Sequence, residues 1–131
     1  MKVWPKMGTA FAEITPVLQT YFDGLYYSDT GRLRQVFHPK AQYVCASDGT
    51  LLYRTMDEYF PVVDARPSPA SRGEARRDAI VSIALAGPVT AIATVTCAIG
   101  TAQFIDLLTL IKLDGRWQII SKTFHRDDSK A

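Results

Sequence analysis

The sequence is poor in cysteine and histidine, the side chains that most often bind transition metals. It has two of each, with no CxxC pair and no histidine or second cysteine at ligand spacing from Cys45 or Cys97. A metal site is therefore not expected, and no motif indicates a cofactor. Both cysteines lie in strand-like segments and are expected to be reduced, buried thiols.

Long apolar runs and a surplus of one charge are missing as well. No segment is long and apolar enough to span a bilayer, and the N-terminal MKVWPKMGTAF lacks the apolar stretch of a signal peptide. The net charge of +2, from 15 basic and 13 acidic residues, favours neither nucleic acid nor anionic lipid as a partner. The most basic stretch, 66–77, is interrupted by proline, glycine and acidic residues and reads as a solvated loop. We expect a cytoplasmic protein, whether Met1 or Met7 is its natural start.

Helical signals come early in the chain. The chain has 131 residues, 47% of them hydrophobic, which is enough apolar sequence to form a single domain, 1–131, with a substantial core. A first helix is predicted over 15–29, with Thr15 as N-cap and Pro16 at its first position. A short second helix is predicted within 28–39 and is ended by its proline. The capping box TMDE predicts a third helix near 56–65, with four residues inward: Met56, Tyr59, Phe60 and Val63.

Strand signals dominate the rest of the sequence. The segments AQYVCAS and TLLYR flank Asp48-Gly49, which is typical of a β-hairpin turn. Four further β-rich runs follow, at 77–85, 89–99, 104–113 and 117–125. Helices first and a long antiparallel sheet later predict an α+β fold, with the helices packed on one face of a curved sheet.

The last two runs place an acid and an imidazole together. A two-residue turn at 114–115 sets the register of the strands that it joins. Counting outward from the turn pairs Asp106 with Thr123 and Phe104 with His125. Asp106 and His125 are then diagonal neighbours on one face, about 7–8 Å apart.

That face is mixed in character. In this register it carries Phe104, Asp106, Leu108, Leu110, Trp117, Ile119, Ser121, Thr123 and His125. Convergent polar groups among apolar ones are typical of a ligand pocket. An alternative stays open, in which Asp106 caps a loop or pairs with an arginine and His125 lies at a frayed strand end. The opposite face is half apolar and suits a dimer partner, through Ile105, Leu107, Ile111 and Ile120.

Four segments give the chain a resemblance to a known family. They are YFDGLYYSD (21–29), LRQVFHPKA (33–41), DGTL (48–51) and DLLTLIKLDGRWQIISKTFH (106–125). Together with the order of elements they resemble the nuclear-transport-factor-2-like superfamily, and within it the "putative lumazine-binding" group. The last segment is the most specific, through the spacing of its aspartate, Lys112, the Asp-Gly turn, Trp117 and the terminal Phe-His.

The resemblance implies a cone, in which a strongly bent antiparallel sheet of the cystatin-like type wraps around helices and encloses a cavity. Members of the superfamily are commonly homodimers joined through the outer face of the sheet. The cone hosts isomerases, dehydratases, epoxide hydrolases, ligand binders and association domains, so the fold does not choose the function. Neither the steroid isomerase nor the scytalone dehydratase constellation can be matched residue by residue.

The same resemblance brings His38 to the border of the cavity, although a histidine at a helix C-terminus also interacts favourably with free carbonyl groups. The candidate catalytic residues are therefore Asp106, His125 and His38. The candidate ligand-binding residues are Tyr21, Tyr26, Phe104, Leu108, Trp117, Ser121 and Thr123. Tyr21 and Tyr26 are more typical of the core stripe of the first helix than of a catalytic site, and Trp117 is more typical of a core position beneath the helices.

Three functions remain open at this level. The first is an isomerase or dehydratase that acts on a small apolar substrate by general acid–base catalysis. The second is a non-catalytic binder of a heterocycle of the lumazine or pterin type, stacked on an aromatic side chain. The third is a dimerisation module whose cavity is incidental.

Overall fold

The computed structural model describes residues 7–128, and Met1 lies outside them. Three helices, α1 Met7–Tyr26, α2 Thr30–Val36 and α3 Met56–Ala65, accompany six strands and a single 3-10 turn, Ala70–Arg72. The strands are β1 Phe37–Cys45, β2 Leu52–Thr55, β3 Ala79–Leu85, β4 Thr90–Ile99, β5 Ala102–Leu113 and β6 Arg116–Asp127. No helix between residues 7 and 128 is long and apolar enough to cross a membrane.

The strands form one curved sheet in the order β2-β1-β6-β5-β4-β3, and the predicted α+β class is confirmed. All neighbours are antiparallel except β1 and β6, which run parallel. This parallel pair joins the early hairpin to the late meander, and the sequence patterns did not reveal it. The helices pack on the inner face, where the core cluster includes Ile14, Leu18, Phe22, Leu33, Phe37, Val95, Leu110 and Ile119.

The first helix begins earlier than predicted. It starts at Met7, and Pro16 lies inside it rather than at its first position. Thr15 does not cap the helix, because its hydroxyl donates to the carbonyl of Phe11, 2.7 Å away. The upstream turn is retained because Ala10 and Ile14 are buried, so tertiary burial offsets the hydrogen bond that Pro16 cannot donate.

The second helix is shorter than the segment that predicted it. Asp29 caps it by accepting from the backbone N–H of Arg32, and it ends at Val36. Pro39 therefore lies within β1 and does not end the helix. The β1–β2 hairpin is also wider than predicted: Cys45 pairs with Leu52, and residues 46–51 form the connection.

The third helix is confirmed in its start and in its buried face. Thr55 accepts from the N–H of Glu58 while the Glu58 carboxylate accepts from the N–H of Thr55, which is the predicted capping box. Met56, Tyr59, Phe60 and Val63 are all buried. Both signals are local, because the capping box spans four residues and the buried positions follow the helical period.

Gly24 provides a test of the packing between α1 and α2. A Cβ atom at this position would overlap the Cδ2 atom of Leu33 and lie 2.7 Å from its Cγ atom, and the Leu33 side chain is fully buried. We expect Gly24→Ala to lower the free energy of unfolding by about 1–3 kcal/mol, measured by urea denaturation. Gly8→Ala is the control, because a Cβ at Gly8 meets nothing within 4 Å. Equal stability of the two variants would contradict the tight contact.

Candidate functional site

A bulge in β6 changes which residues face the inside of the cone. Near the turn the predicted register holds, and Leu110 pairs with Ile119. The next pair is Thr109 with Ser121, so Ile120 is an extra residue on β6. Because side chains alternate along a strand, one inserted residue exchanges the faces of every position beyond it.

Asp106 and His125 therefore lie on opposite faces, and the prediction that they share a pocket is wrong. Asp106 pairs with Phe124 and is 0% exposed, whereas His125 pairs with Ile105 and is exposed on the outer face. Thr123 is exposed and Ser121 half-buried, and the 3.4 Å contact between their hydroxyl groups lies on that outer face. Neither of these two predicted ligand-binding residues lines the interior.

His125 joins a small polar cluster at the rim of the sheet. Its Nδ1 atom lies 2.9 Å from the hydroxyl of Ser47, in the connection between β1 and β2. That hydroxyl also accepts from the thiol of Cys45 and from the backbone N–H of Arg126. The Ser47 hydroxyl thus contacts three polar groups, those of His125, Cys45 and Arg126. This arrangement suits a structural contact that joins the β1–β2 hairpin to β6 better than it suits a nucleophile.

His38 is also placed away from the cone interior. It lies in β1, half-exposed, and its Nδ1 atom accepts from the backbone N–H of Lys40 at 3.0 Å. The expected position at a helix C-terminus is wrong, because α2 ends at Val36. The structure therefore brings neither histidine to Asp106.

Tyr21 is the side chain that the structure does bring to Asp106. Its hydroxyl donates to Oδ2 of Asp106 at 2.5 Å, and both residues are fully buried. Within residues 7–128 the other carboxylate oxygen, Oδ1, has no hydrogen-bond partner although it is buried. One oxygen of the carboxylate is thus held by Tyr21, and the other has no hydrogen-bond partner within the described residues.

Lys122 lies on the same inner face of the sheet, two residues before the Asp106 partner Phe124. It is 5% exposed, and its ammonium group is surrounded by the faces of aromatic rings. The Nζ atom is 5.2–5.5 Å from four ring centroids, those of Tyr21, Tyr43, Tyr59 and Phe124. Such cation–π contacts stabilise an ammonium group where water is scarce.

The charges of this cluster act on one another. Burial lowers the pKa of Lys122, but the neighbouring acidic groups, Tyr59 first and then Asp106, outweigh burial, and its pKa is raised. Burial, reinforced by the charge of Asp106, raises the pKa of Tyr21 well above its usual value and that of the Cys97 thiol to about 12. Lys122 is therefore an ammonium ion at neutral pH, and Tyr21 and Cys97 keep their protons.

A small cavity adjoins the ammonium group. It has a volume of about 10 Å³, room for roughly one water molecule, and Lys122, Tyr43, Tyr59, Arg66 and Phe104 are among the residues that line it. Two polar atoms at its wall, the Tyr59 hydroxyl and Nε of Arg66, are buried without a hydrogen-bond partner in the described chain. The cavity therefore has more hydrogen-bonding capacity than the protein itself uses.

A second cavity of about 20 Å³ lies beside the first. Leu25, Cys97 and Ile99 line both, so three side chains separate the two. Tyr26 also lines the second cavity, and its hydroxyl donates to the carbonyl of Glu74 at 2.6 Å. The two cavities therefore lie on either side of these three side chains, next to residues of the segment 66–78.

The remaining predicted ligand-binding residues fall into two groups. Phe104 lines the cavity, as the predicted inner face requires. Leu108 and Trp117 are buried in the core, and the indole N–H of Trp117 donates to Glu13 at 2.9 Å. Trp117 is therefore a core residue near the start of α1 and does not line the cavity.

Sequence reasoning missed Lys122, Tyr43, Tyr59 and Arg66 as site residues. A signal was present for the first, since a lone lysine stands within the otherwise apolar and small-residue segment 119–124. Tyr59 was predicted to be buried, but its free hydroxyl depends on the tertiary packing. Among residues 7–128 no cluster of three or more His, Cys, Asp or Glu side chains is arranged to hold a metal ion.

Comparison with known proteins places the chain in a family. The family model described as "Putative lumazine-binding" matches residues 9–125. Among characterised sequences, the chain is similar to "Aldolase FrzH" of Cladobotryum sp., with 27% identity over 107 residues that cover 80% of this chain and 82% of that protein.

Solved structures of similar shape are nuclear-transport-factor-2-like proteins of unknown function. One from Silicibacter pomeroyi DSS-3 is 25% identical, covers 94% of this chain and 100% of its own, and has a TM-score of 0.81. Another from Shewanella baltica OS155 is also 25% identical, covers 95% and 99%, and has a TM-score of 0.84. The agreement extends over nearly the whole length of both chains.

Proposed function

Because this chain belongs to the "Putative lumazine-binding" family of nuclear-transport-factor-2-like proteins, we propose that it uses the interior of its cone as an active site. The reaction is the transfer of a proton to and from the carbon next to a carbonyl group, by general acid–base catalysis. One observation carries the proposal: Asp106 is fully buried, its Oδ1 atom has no hydrogen-bond partner among residues 7–128, and its charge interacts with the ammonium group of Lys122.

Asp106 is the general base in this mechanism. Tyr21 holds Oδ2, so the carboxylate is oriented, and Oδ1, which has no hydrogen-bond partner among residues 7–128, is the oxygen that would take the proton. Oδ1 takes the proton from the α-carbon, the C–H electron pair becomes the C=C bond of an enolate, and the carbonyl π pair moves onto oxygen. A positioned base of this kind typically contributes about 10²–10⁴-fold in rate.

Lys122 stabilises the enolate oxygen. Its charge is present before the reaction begins and is surrounded by rings rather than water, so no solvent has to reorganise as negative charge develops. The raised pKa favours an ammonium ion over the neutral amine that attack on a carbonyl carbon requires. We therefore assign Lys122 an electrostatic role and not a covalent one.

The similarity to a protein named an aldolase supports this class of reaction. Enolate formation is the first step of an aldol addition, and proton return at a different carbon makes the same step an isomerisation. Loss of a β-hydroxyl group from the enolate makes it a dehydration. The cluster of Asp106, Tyr21 and Lys122 serves the step that these reactions share.

The proposal is tested by hydrogen–deuterium exchange at carbon. Cyclic enones, aryl ketones and 2-oxo acids are incubated with the protein in D₂O, and loss of the α-proton signal is followed by NMR. We expect at least one member of this panel to exchange faster than in buffer, with saturation at high concentration. Exchange at the buffer rate for every member would overturn the enzymatic proposal.

A second candidate function is binding of a lumazine-type heterocycle without turnover. The description of the family favours it, and so does the chemistry of the cluster. An imide edge presents an N–H donor and a C=O acceptor, which match Oδ1 of Asp106 and the ammonium group of Lys122. A thermal shift with lumazine that persists without any exchange in the carbonyl panel would favour this binder.

We also propose that a second copy of the chain covers the outer face of the sheet. Ile105 and Leu107 are 50% and 42% exposed on β5, and Ile92 on the adjacent β4 is 41% exposed. Threonines at 94, 96, 109 and 123 surround them, so the face has few charges. Large apolar residues on adjacent strands are typical of an interface.

Leu107→Glu tests this interface. Its carboxylate would be buried in the apolar contact, so we expect the variant to be a monomer at concentrations where the wild type is a dimer. Sedimentation velocity measures both states. Leu51→Glu is the control, because Leu51 is 73% exposed in the β1–β2 connection, away from this face. A monomeric wild type at all concentrations would contradict the proposal.

A further inference from the structure

The cavity at Lys122, whose ammonium group interacts electrostatically with Asp106, is lined by a second cation, Arg66, and this bears on the substrate. Arg66 follows α3 as its C-cap and lines the cavity together with Lys122. Its charge acts on cavity groups, because it lowers the pKa of both Tyr43 and Cys97 against the larger, raising effect of burial. Arg66 is thus close to the site and not only a loop residue.

The guanidinium group of Arg66 is incompletely paired. Its Nε atom is buried and has no hydrogen-bond partner among residues 7–128. A buried donor without a partner costs about 1–3 kcal/mol. The Tyr59 hydroxyl, on the same cavity wall, is buried and unpaired as well. The cavity wall therefore carries three donor groups: Nε of Arg66, the Tyr59 hydroxyl and the Lys122 ammonium group. Within the described residues, the first two have no hydrogen-bond acceptor.

The balance of charge in the cavity, like its unpaired donors, favours a ligand with acceptor oxygens and a negative charge. Asp106 contributes one negative charge and can compensate one of the two cations, Lys122 or Arg66. Arg66 is half-buried and keeps its positive charge, because a guanidinium group does not lose its proton in a protein. A ligand with a single negative charge would neutralise it and supply the missing acceptor oxygens.

We propose that the site takes enolisable carbonyl compounds that carry a carboxylate, with the carboxylate at Arg66 and the carbonyl oxygen at Lys122. The assignment rests on the proposed function, since Asp106 must reach the enolisable carbon, which in a 2-oxo acid lies on the other side of the carbonyl group from the carboxylate. Arg66 binds the substrate and sets its orientation, and it takes no part in the proton transfer. The simplest members of the class are 2-oxo acids, in which carboxylate and carbonyl are adjacent.

The experiment compares acids with their own methyl esters. Binding of phenylpyruvate, 2-oxobutanoate and their methyl esters is measured by titration calorimetry, and α-proton exchange of each is followed by NMR. A charge-assisted hydrogen bond predicts that each acid binds about tenfold or more tightly than its ester. Arg66→Gln should bring the two affinities close together, and Arg66→Lys should retain part of the difference.

Arg72→Gln is the control for net charge. It removes the same charge from the same segment, but Arg72 is paired with Glu74 at the surface, so the preference for the acid should be unchanged. Thermal melts establish that each variant is folded, and the acid–ester comparison in the wild type needs no variant.

The outcomes separate the two proposals. Equal affinity of acid and ester, or an equal loss in Arg72→Gln, overturns the carboxylate assignment even if exchange that depends on Asp106 supports the enzyme. Acid binding that depends on Arg66 without any exchange upholds the assignment and overturns the enzymatic function. Absence of both binding and exchange overturns both.

Discussion

Asp106→Asn is expected to lower the rate of α-proton exchange by about 100- to 10,000-fold, because an amide is not a base at neutral pH. The substitution is nearly isosteric, and the amide oxygen can still accept the hydrogen bond that Tyr21 donates to Oδ2. The loss should therefore appear in the rate of the chemical step and not in the geometry of the site. NMR exchange at saturating substrate measures it.

Two further variants test whether the loss of exchange is specific to the Asp106 carboxylate. Tyr21→Phe keeps the base but removes the hydrogen bond that orients it, so we expect a smaller loss than in Asp106→Asn. Asp78→Asn changes a carboxylate that lines the neighbouring cavity and pairs with Arg76, and it should exchange at the wild-type rate. Asp106→Asn with wild-type exchange would show that the carboxylate is not the base.

Lys122→Met is expected to lower the free energy of unfolding by about 3 kcal/mol, the lower end of the cost of removing one member of a buried pair of opposite charges, because Asp106 and Lys122 interact electrostatically without a direct ion pair among the described contacts. Methionine fills a similar volume, so the effect reports charge more than packing. Asp106 would remain buried with Oδ1 unpaired and without its neighbouring cation. Urea denaturation at neutral pH measures the loss.

A double variant and a surface control test this interpretation. Asp106→Asn combined with Lys122→Met removes both charges and should be more stable than Lys122→Met alone. Lys112→Met removes a partly exposed lysine that pairs with Glu13 at 3.0 Å, and it should cost no more than about 1 kcal/mol. Additive losses in the double variant would contradict coupling between Asp106 and Lys122.

The dependence of stability on pH follows from the raised pKa of Lys122. A lysine whose pKa is higher in the folded state stabilises that state fully below its ordinary value of 10.5. The contribution is lost only as the pH rises through the folded-state pKa, in strongly alkaline solution. Lys122→Met should therefore differ from the wild type by a constant amount across the neutral range.

Local signals in the sequence were sufficient for much of the fold. The capping box at Thr55 and Glu58 and the turn at Asp114-Gly115 were both confirmed. Asp114 and Gly115 have φ values of 52° and 75°, as a two-residue hairpin turn requires. Each signal depends on residues that are close together in the sequence, so both could be recognised without the tertiary structure.

Burial against distant elements overrode local signals elsewhere. Thr15 and Pro16 are typical of a helix start, yet α1 begins at Met7 because Ala10 and Ile14 pack into the core. Likewise the hairpin signal at 48–49 became a wider connection, since the register of β1 is set by its parallel pairing with β6 as well as by β2. Such pairings join segments far apart in the chain and leave no local pattern.

Local sequence pattern determined one part of the site, and the tertiary structure determined the other. The alternation of β5 was enough to place Asp106 among inward residues, and it did so correctly. The partner could not be found in the same way, because the extra residue Ile120 turns His125 outward and Lys122 inward. A bulge of this kind bends its strand, and whether one forms depends on how the sheet curves around the helices, which no local sequence pattern encodes.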